Sequence, residues 1–320
     1  MSSTTLSPPL VELLRCPLCR SAFAEVADTL VCESEHAFPV VRGIPRLVPE
    51  ASLDQERSRT AAAFGYSWTH YPKQNPYTEE QWRDWVVPLS ETDFAGRTVL
   101  DGGCGLGGFA EYARAWGAAR VVGVDISAAI DAARERLGDT VELVQGDLYA
   151  LPFERGTFDL AYSIGVLHHL PDPERGFRAV AETVKPGGLV FAWVYGRENN
   201  GLIVRVVDPL RKHVFSRLPR GLLKWGISLP LAALLWPLVK ASQKSARVPY
   251  ASYFRFLAQR DFAFTHGVVF DHLVAPTSHY IRREEFEGWF ERAGLVDVEI
   301  TWRNENSWRG LGRVPEPGQV

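Results

Sequence analysis

Val99-Leu100-Asp101-Gly102-Gly103-Cys104-Gly105-Leu106-Gly107-Gly108-Phe109-Ala110 is the stretch that decides the fold. An apolar strand runs into a glycine-rich turn and directly on into a helical pattern over 107–116. Glycines at such a turn let the backbone approach a ligand that side chains would hold off. Tight strand–helix turns also need glycine, so the context has to decide. One βα unit later comes Val121-Val122-Gly123-Val124-Asp125-Ile126-Ser127, with an acid at the strand's C-terminal end, where it can accept hydrogen bonds from ribose hydroxyls. A third strand ends in Gln145-Gly146-Asp147-Leu148, and a fourth in Ser163-Ile164-Gly165-Val166-Leu167-His168-His169. Apolar runs at 98–101, 120–125, 141–145, 158–163 and 189–194 alternate with helical patterns at 107–116, 128–137 and 173–184. That rhythm predicts an α/β fold with a doubly wound, mostly parallel sheet.

Working outward, the chain has 320 residues, 46% hydrophobic and 23% charged, which excludes disorder, collagen-like repeats and a coiled coil. A formal charge of −3 argues against a polybasic nucleic-acid binder. The first residues lack a basic segment followed by an apolar run, so no secretory signal is expected. With four cysteines, this points to a reducing cytoplasm and to metal-bound or buried thiols rather than disulfides. The longest apolar run, 222–239, contains Lys224, Pro230 and Pro237 and reads as too short and interrupted to cross a bilayer. The expected organisation is a zinc-ribbon-like domain over 1–50, a linker and aromatic segment over 51–96, the cofactor core over 97–195, a helical insertion over 196–280 and a helix with a strand pair over 281–320.

The glycine turn does not continue into the spacing used for dinucleotides, since position 110 is alanine. Acids at three strand ends suit adenosine with an amino-acid tail better than a pyrophosphate. The ordered set, with Leu151-Pro152-Phe153, FDLAYSIGVLHHLPDPE (158–174) and VKPGGLVFAWVY (184–195), resembles the class I S-adenosylmethionine-dependent methyltransferases. The later motifs are similar to those of the ubiquinone and menaquinone methyltransferase subgroup. The resemblance implies a Rossmann-like seven-stranded sheet and S-adenosyl-L-methionine as cofactor. It also implies that Asp101, Gly103 and Gly105 border the methionine part and that Asp125, with Ile126 beside it, holds the ribose. Asp147 and Leu148 would flank the adenine, and Ser163 and Ile164 would close the pocket. Gly102 stands where that family usually carries an apolar residue, and a glycine there is expected only to open the wall.

Near the N-terminus, Cys16, Cys19, Cys32 and His36 form C-x2-C-x12-C-x3-H. Two close ligand pairs are the arrangement that builds a tetrahedral structural zinc site with no open position. The spacing resembles the zinc ribbon of large-subunit rRNA guanine methyltransferases. Residues 37–47 are similar to the small activator subunit of tRNA and protein methyltransferases.

Residues 196–250 carry ten basic side chains against Glu198 and Asp208, a net charge of +8 around the apolar run. This reads as a lid over a substrate pocket, with peripheral membrane contact as the second reading. Phe64, Tyr66, Trp68 and Tyr71 are candidates to close the cofactor edge. Methyl transfer to a hydroxyl needs a base, and His168 and His169 are the expected pair, ahead of His272, His279 and Tyr280. One of the two histidines could instead be fixed by a hydrogen bond and hold the loop. The expected substrate is a small molecule, methylated at oxygen in a biosynthetic pathway. The alternatives are an RNA base methyltransferase that grips nucleic acid with the ribbon, and a regulatory subunit that keeps the cofactor fold without turnover.

Overall fold

Neighbouring side chains of a strand leave on opposite faces, and both faces of β5 (Thr98–Gly102) are buried. Val99 packs with Trp82, Phe94 and Phe109 on one side. Leu100 packs with Phe177 and Val180 on the other. Such a strand belongs at the centre of a parallel sheet. There it lies, parallel to β6 (Arg120–Asp125) and β8 (Phe158–Ile164), with Val99 opposite Val121 and Leu160. The computed structural model describes residues 6, 8–49, 57–62, 65, 77–245, 247, 248 and 250–318.

Outside these strands lie β7 (Glu142–Gly146) on one side and β9 (Val184–Tyr195) on the other. The pair β10 (Val296–Arg303) and β11 (Ser307–Arg313) follows, with β11 antiparallel to β9. The order β7-β6-β5-β8-β9-β11-β10 supplies the seven expected strands. Helices Glu79–Trp85, Gly108–Ala115 and Ala129–Leu137 contribute Trp82, Phe109, Ala110 and Ile130 to one layer. Helices Pro173–Glu182 and Arg283–Arg292 contribute Phe177, Phe286 and Phe290 to the other. The result is a doubly wound α/β sheet. β9 starts earlier than its apolar core: its register jumps from Val184 to Leu189, so residues 185–188 bulge out of the ladder.

The sheet does not stop at seven strands. Four short ones, β1 (Phe23–Val26), β2 (Thr29–Cys32), β3 (Ala37–Val41) and β4 (Ile44–Leu47), form an antiparallel ribbon. β4 then pairs in parallel with β7, Arg46 opposite Gln145 and Leu47 opposite Gly146, giving eleven strands in one sheet. Further bonds fasten the ribbon. The Arg15 N–H donates to the Pro152 carbonyl at 2.8 Å, and Arg20 Nη1 to that of Leu151 at 2.7 Å. Arg46 pairs with Asp131 at 2.6 Å.

Between β9 and helix Arg283–Arg292 the chain is helical. The apolar run expected to be interrupted is one unbroken helix, Leu222–Ser242, of 21 residues, whose most apolar 18-residue window has a mean hydropathy of 1.6. By length and composition it could cross a membrane. Pro230 falls at the change from a π-helical part, Leu222–Ser228, to the α-helical part, where the backbone ladder shifts, and Pro237 stands inside the latter without ending it. Leu223 and Ala232 pack against Phe270 and Leu273 of helix Phe262–Val274, and Val239 against Leu257. Two backbone bonds close the insertion onto the sheet end: Ile281 N–H to the Tyr195 carbonyl at 2.9 Å, and His279 N–H to the His168 carbonyl at 2.7 Å.

Candidate active site

Parallel strands deliver their C-terminal ends to one edge, and the candidate cofactor residues meet there. Asp101, 1% exposed at the end of β5, has a carboxylate oxygen, Oδ2, with no partner among the described residues. Burial, helped by the charge of Asp125, pushes its carboxyl up to about 8, so the free protein holds it protonated at neutral pH. Gly103 follows at φ +84°, and a Cβ there would lie 2.5 Å from Val166. Only glycine fits this turn. The Gly103 N–H donates to the Val124 carbonyl at 2.8 Å, tying the turn to β6.

Asp125 is partly satisfied within the chain. Its Oδ2 accepts the Gly105 N–H at 2.9 Å; its Oδ1 accepts the Ser127 N–H at 2.8 Å and hydroxyl at 2.6 Å. An ionised carboxylate has about four acceptor positions, so one remains open. The Ile126 carbonyl accepts from Gln145 Nε2 at 3.1 Å, which fixes the loop after β6. Asp147 caps its own turn by accepting the Tyr149 N–H at 2.9 Å, and its other oxygen pairs with Arg57. No motif marks Arg57 in the sequence. Ser163 donates to the Gly102 carbonyl at 2.8 Å, joining the fourth strand to the first, and Ile164 is buried beside it. Gly102 corrects an expectation: the space a Cβ would take is filled by Leu148 at 3.3 Å and Val180 at 3.4 Å, so no wall is opened. Phe64, Tyr66, Trp68 and Tyr71 lie outside the described residues.

The other half of the site lies under the insertion. His168 and His169 follow β8 on a short 3-10 turn, Leu167–His169, and are both buried. Their surroundings differ. His169 Nδ1 lies 2.8 Å from the Thr277 carbonyl, which only accepts, so this nitrogen carries the proton. Ser278 Oγ lies 2.9 Å away, and burial lowers the ring's basicity to about 3. His168, fully buried, has no hydrogen-bond partner on either ring nitrogen among the described residues. Its ring lies 3.9 Å, centre to centre, from Tyr195, and burial holds it neutral, well below the usual imidazole range. Tyr195 also faces His272 and Tyr280, at 5.5 and 5.8 Å. The Tyr253 hydroxyl lies 3.2 Å from His272 Nε2, and burial lowers His272 to about 4. Arg211, 1% exposed, points inward, paired with Asp208 and 3.4 Å from the Ser278 carbonyl. Arg211 entered the sequence analysis only as part of the insertion's net charge, and Tyr195 and Tyr253 were not singled out, because inward orientation leaves no local pattern.

The ribbon gathers its own cluster. One ligand atom each from Cys16, Cys19, Cys32 and His36 lies within 4.8 Å of every other. Cys16 Sγ and His36 Nδ1 are 3.5 Å apart, Cys32 Sγ and His36 Nδ1 3.4 Å, and the Cys19 and Cys32 sulfurs 3.5 Å. A tetrahedral zinc with bonds of about 2.3 Å to sulfur and 2.0 Å to nitrogen has edges of roughly this length. Two tight turns carry the ligands, with Arg20 at φ +66° after the first pair and Glu35 at φ +62° inside the second.

The sheet order, the glycine turn and the acids at successive strand ends define a Rossmann-like methyltransferase fold. Residues 100–192 match the family model described as a methyltransferase domain. A ubiquinone biosynthesis O-methyltransferase from Thiobacillus denitrificans is 38% identical over 147 residues, covering 44% of this chain and 60% of that protein. A sterol 24-C-methyltransferase from Gibberella zeae is 36% identical over 107 residues, covering 31% of this chain and 28% of that one. The chain therefore spans 60% of the first relative's length and 28% of the second's. Among solved structures, phosphoethanolamine N-methyltransferase 2 of Haemonchus contortus aligns over 85% of this chain and 62% of its own, at 17% identity and a TM-score of 0.46.

Proposed function

We propose that this chain is an S-adenosyl-L-methionine-dependent methyltransferase that modifies a small molecule at oxygen in a biosynthetic pathway. The observation that carries the cofactor assignment is the meeting of Asp101, Asp125 and the Gly103–Gly105 turn at one sheet edge, with a buried carboxylate oxygen unpartnered. When bound, the cofactor supplies an electrophilic methyl group. Asp125 has one acceptor position left for a ribose hydroxyl, and the loop bonds from Gly105 and Ser127 hold the carboxylate in place for it. Asp101 and the bare backbone at Gly103 and Gly105 border the methionine part. Leu148 and the Asp147 turn flank the adenine, with Arg57 over the Asp147 carboxylate. Ser163 and Ile164 close the strand-end wall.

Of the histidine pair, His168 is the base. Its ring nitrogens are uncommitted among the described residues, whereas His169 anchors residues 277 and 278. The relatives named above act at oxygen in one case and at carbon in the other, and match 44% and 31% of this chain. The acceptor is selected where the insertion meets the end of β9, through Tyr195, Tyr253, His272 and Arg211. The RNA reading is weaker. Arg15, Arg20 and Arg42, three basic side chains of the ribbon, bond to Glu154, Leu151 and Glu135 of the core. In this reading the Cys16, Cys19, Cys32 and His36 cluster holds a structural zinc ion that stabilises the ribbon and takes no part in the chemistry.

The test combines the purified chain with methyl-labelled cofactor and a metabolite extract, reading mass gain of one methyl group. His168→Gln is expected to slow single-turnover transfer by about 10²–10⁴-fold and to leave cofactor affinity unchanged. Transfer at full rate in that variant would remove His168 from the chemistry. Labelling of RNA with none of the small-molecule pool would overturn the substrate class.

A further inference from the structure

Of the twelve large apolar side chains exposed among the described residues, eight lie between 202 and 238. They are ordered. Leu202, Val206, Leu210 and Val214 recur every fourth residue along helical turns, which lines them up on one face. On the long helix Leu222–Ser242, Leu222 and Trp225 are three apart and Leu234 and Leu238 four apart, with Leu234 73% exposed. The helix's other face is used, since Leu223, Ala232 and Val239 are buried against neighbouring helices. Only 22% of its most apolar window is buried.

The charge around this apolar face has one sign. Arg205, Lys212, Arg217, Lys240, Lys244 and Arg247 are exposed, and no Asp or Glu occurs between Asp208 and Asp261. Asp208 is already paired with Arg211 and Lys212. Lys240 lies 4.3 Å over the Trp236 ring and Lys224 5.2 Å over that of Trp225, so apolar stems and rings are capped by ammonium groups. Side chains of this kind sit where hydrocarbon meets polar headgroups. A second copy of the chain is a poor match, because the same net charge would face itself without acids to pair. Crossing the bilayer would tear the helix from Phe270 and Leu273. An anionic lipid surface matches both the apolar ridge and the charge.

We propose that the face spanning residues 202–247 docks on an anionic bilayer, lying in the interface with its apolar ridge among the upper acyl chains and its basic side chains at the phosphates. This inference stands on the insertion alone and does not depend on the methyltransferase reading. The test is flotation of the full chain with vesicles of phosphatidylcholine alone and of phosphatidylcholine mixed with phosphatidylglycerol, at low and high salt. The expected result is binding to the mixed vesicles, little to the neutral ones, and weakening by salt. Lys244→Gln with Arg247→Gln is expected to weaken binding roughly 25-fold, about five-fold for each charge. Leu234→Asp with Leu238→Asp is expected to abolish it, with the melting curve unchanged because both side chains face outward. Failure to float with mixed vesicles would overturn the proposal, as would equal binding of the Leu234/Leu238 variant. A concentration-dependent dimer dispersed by the same substitutions, without vesicle binding, would assign the face to a second copy instead.

Discussion

The ribbon and the insertion are both additions to the same sheet, and they are attached by opposite means. The ribbon continues the sheet: β4 lies in the ladder beside β7, and Arg15, Arg20, Arg42 and Arg46 are used on core carbonyls and carboxylates. The insertion sits over the strand ends with cores of its own. Inside, it meets His168 and Tyr195, and its outward side presents Leu234 and exposed basic side chains. An element whose arginines are spent on the core is built to be held. One that faces the uncommitted His168 ring on its inner side and leaves leucines bare on its outer side is built to meet other molecules.

The strongest way to break that contrast is at the ribbon. Cys16→Ser removes one of four ligands, and loss of a closed metal cluster is expected to cost more than about 4 kcal/mol. Metal analysis with thermal melting checks this, and an unchanged melt would end the ribbon's structural assignment. Next comes the cofactor edge. Asp125→Ala would leave the N–H groups of Gly105 and Ser127 without an acceptor, so Asp125→Asn is the cleaner variant. It is expected to lower cofactor affinity about 10²-fold by calorimetry with the fold retained, since the amide keeps one acceptor oxygen and loses the charge.

A smaller effect concerns Asp101. Its folded carboxyl titrates near 8 because of burial, far above the usual carboxylate range. The folded chain therefore keeps a proton that the unfolded chain releases above about pH 4. Its contribution to stability is fully present below that pH and is lost as pH rises through 8. Asp101→Asn, neutral throughout, is expected to gain steadily on the parent protein as pH rises through this interval, in denaturant titrations without cofactor. Parallel curves would mean that the carboxyl is already ionised. His169 and His272, held near 3 and 4, act in the other direction. Their contribution is present above about pH 6.5 and is lost as pH falls toward 4 in both proteins. The smallest effect sharpens the comparison from the insertion's side. Leu234→Asp is expected to change stability by less than about 0.5 kcal/mol, because the side chain is 73% exposed. A larger loss would show that the outer face is packed in solution.

What could be read from the sequence was local. The alternation of Val99, Leu100 and Asp101, the glycines after them and the acids at three strand ends are short-range signals of period and turn chemistry, and the structure carries them onto one sheet edge. The Cys/His spacing likewise anticipated a cluster that the ribbon turns bring together. Partnerships across the chain were silent: nothing near Arg46 announces Gln145, nor anything near Arg57 announces Asp147. The adjacent histidines show the same limit. They are identical in type, yet one meets a carbonyl from residue 277 and the other an aromatic face, and only the returning chain decides which. Pro230 and Pro237 were misleading for a different reason, since the packing of this helix on Phe270, Leu273 and Leu257 carries it past both, and that packing is not visible in the residues around them.

The pairing of β4 with β7 sets a timetable for synthesis. β7 leaves the ribosome about a hundred residues after β4, which at about 5–20 residues per second is roughly 5–20 s. During that interval the ribbon can close around its own cysteines, all within 16–36, while the outer side of β4 has no neighbour in its own chain. An unpaired strand edge is a template for the wrong partner. The ribbon is thus made well before the strand it docks on, and neighbouring nascent chains on one message are its nearest source of error.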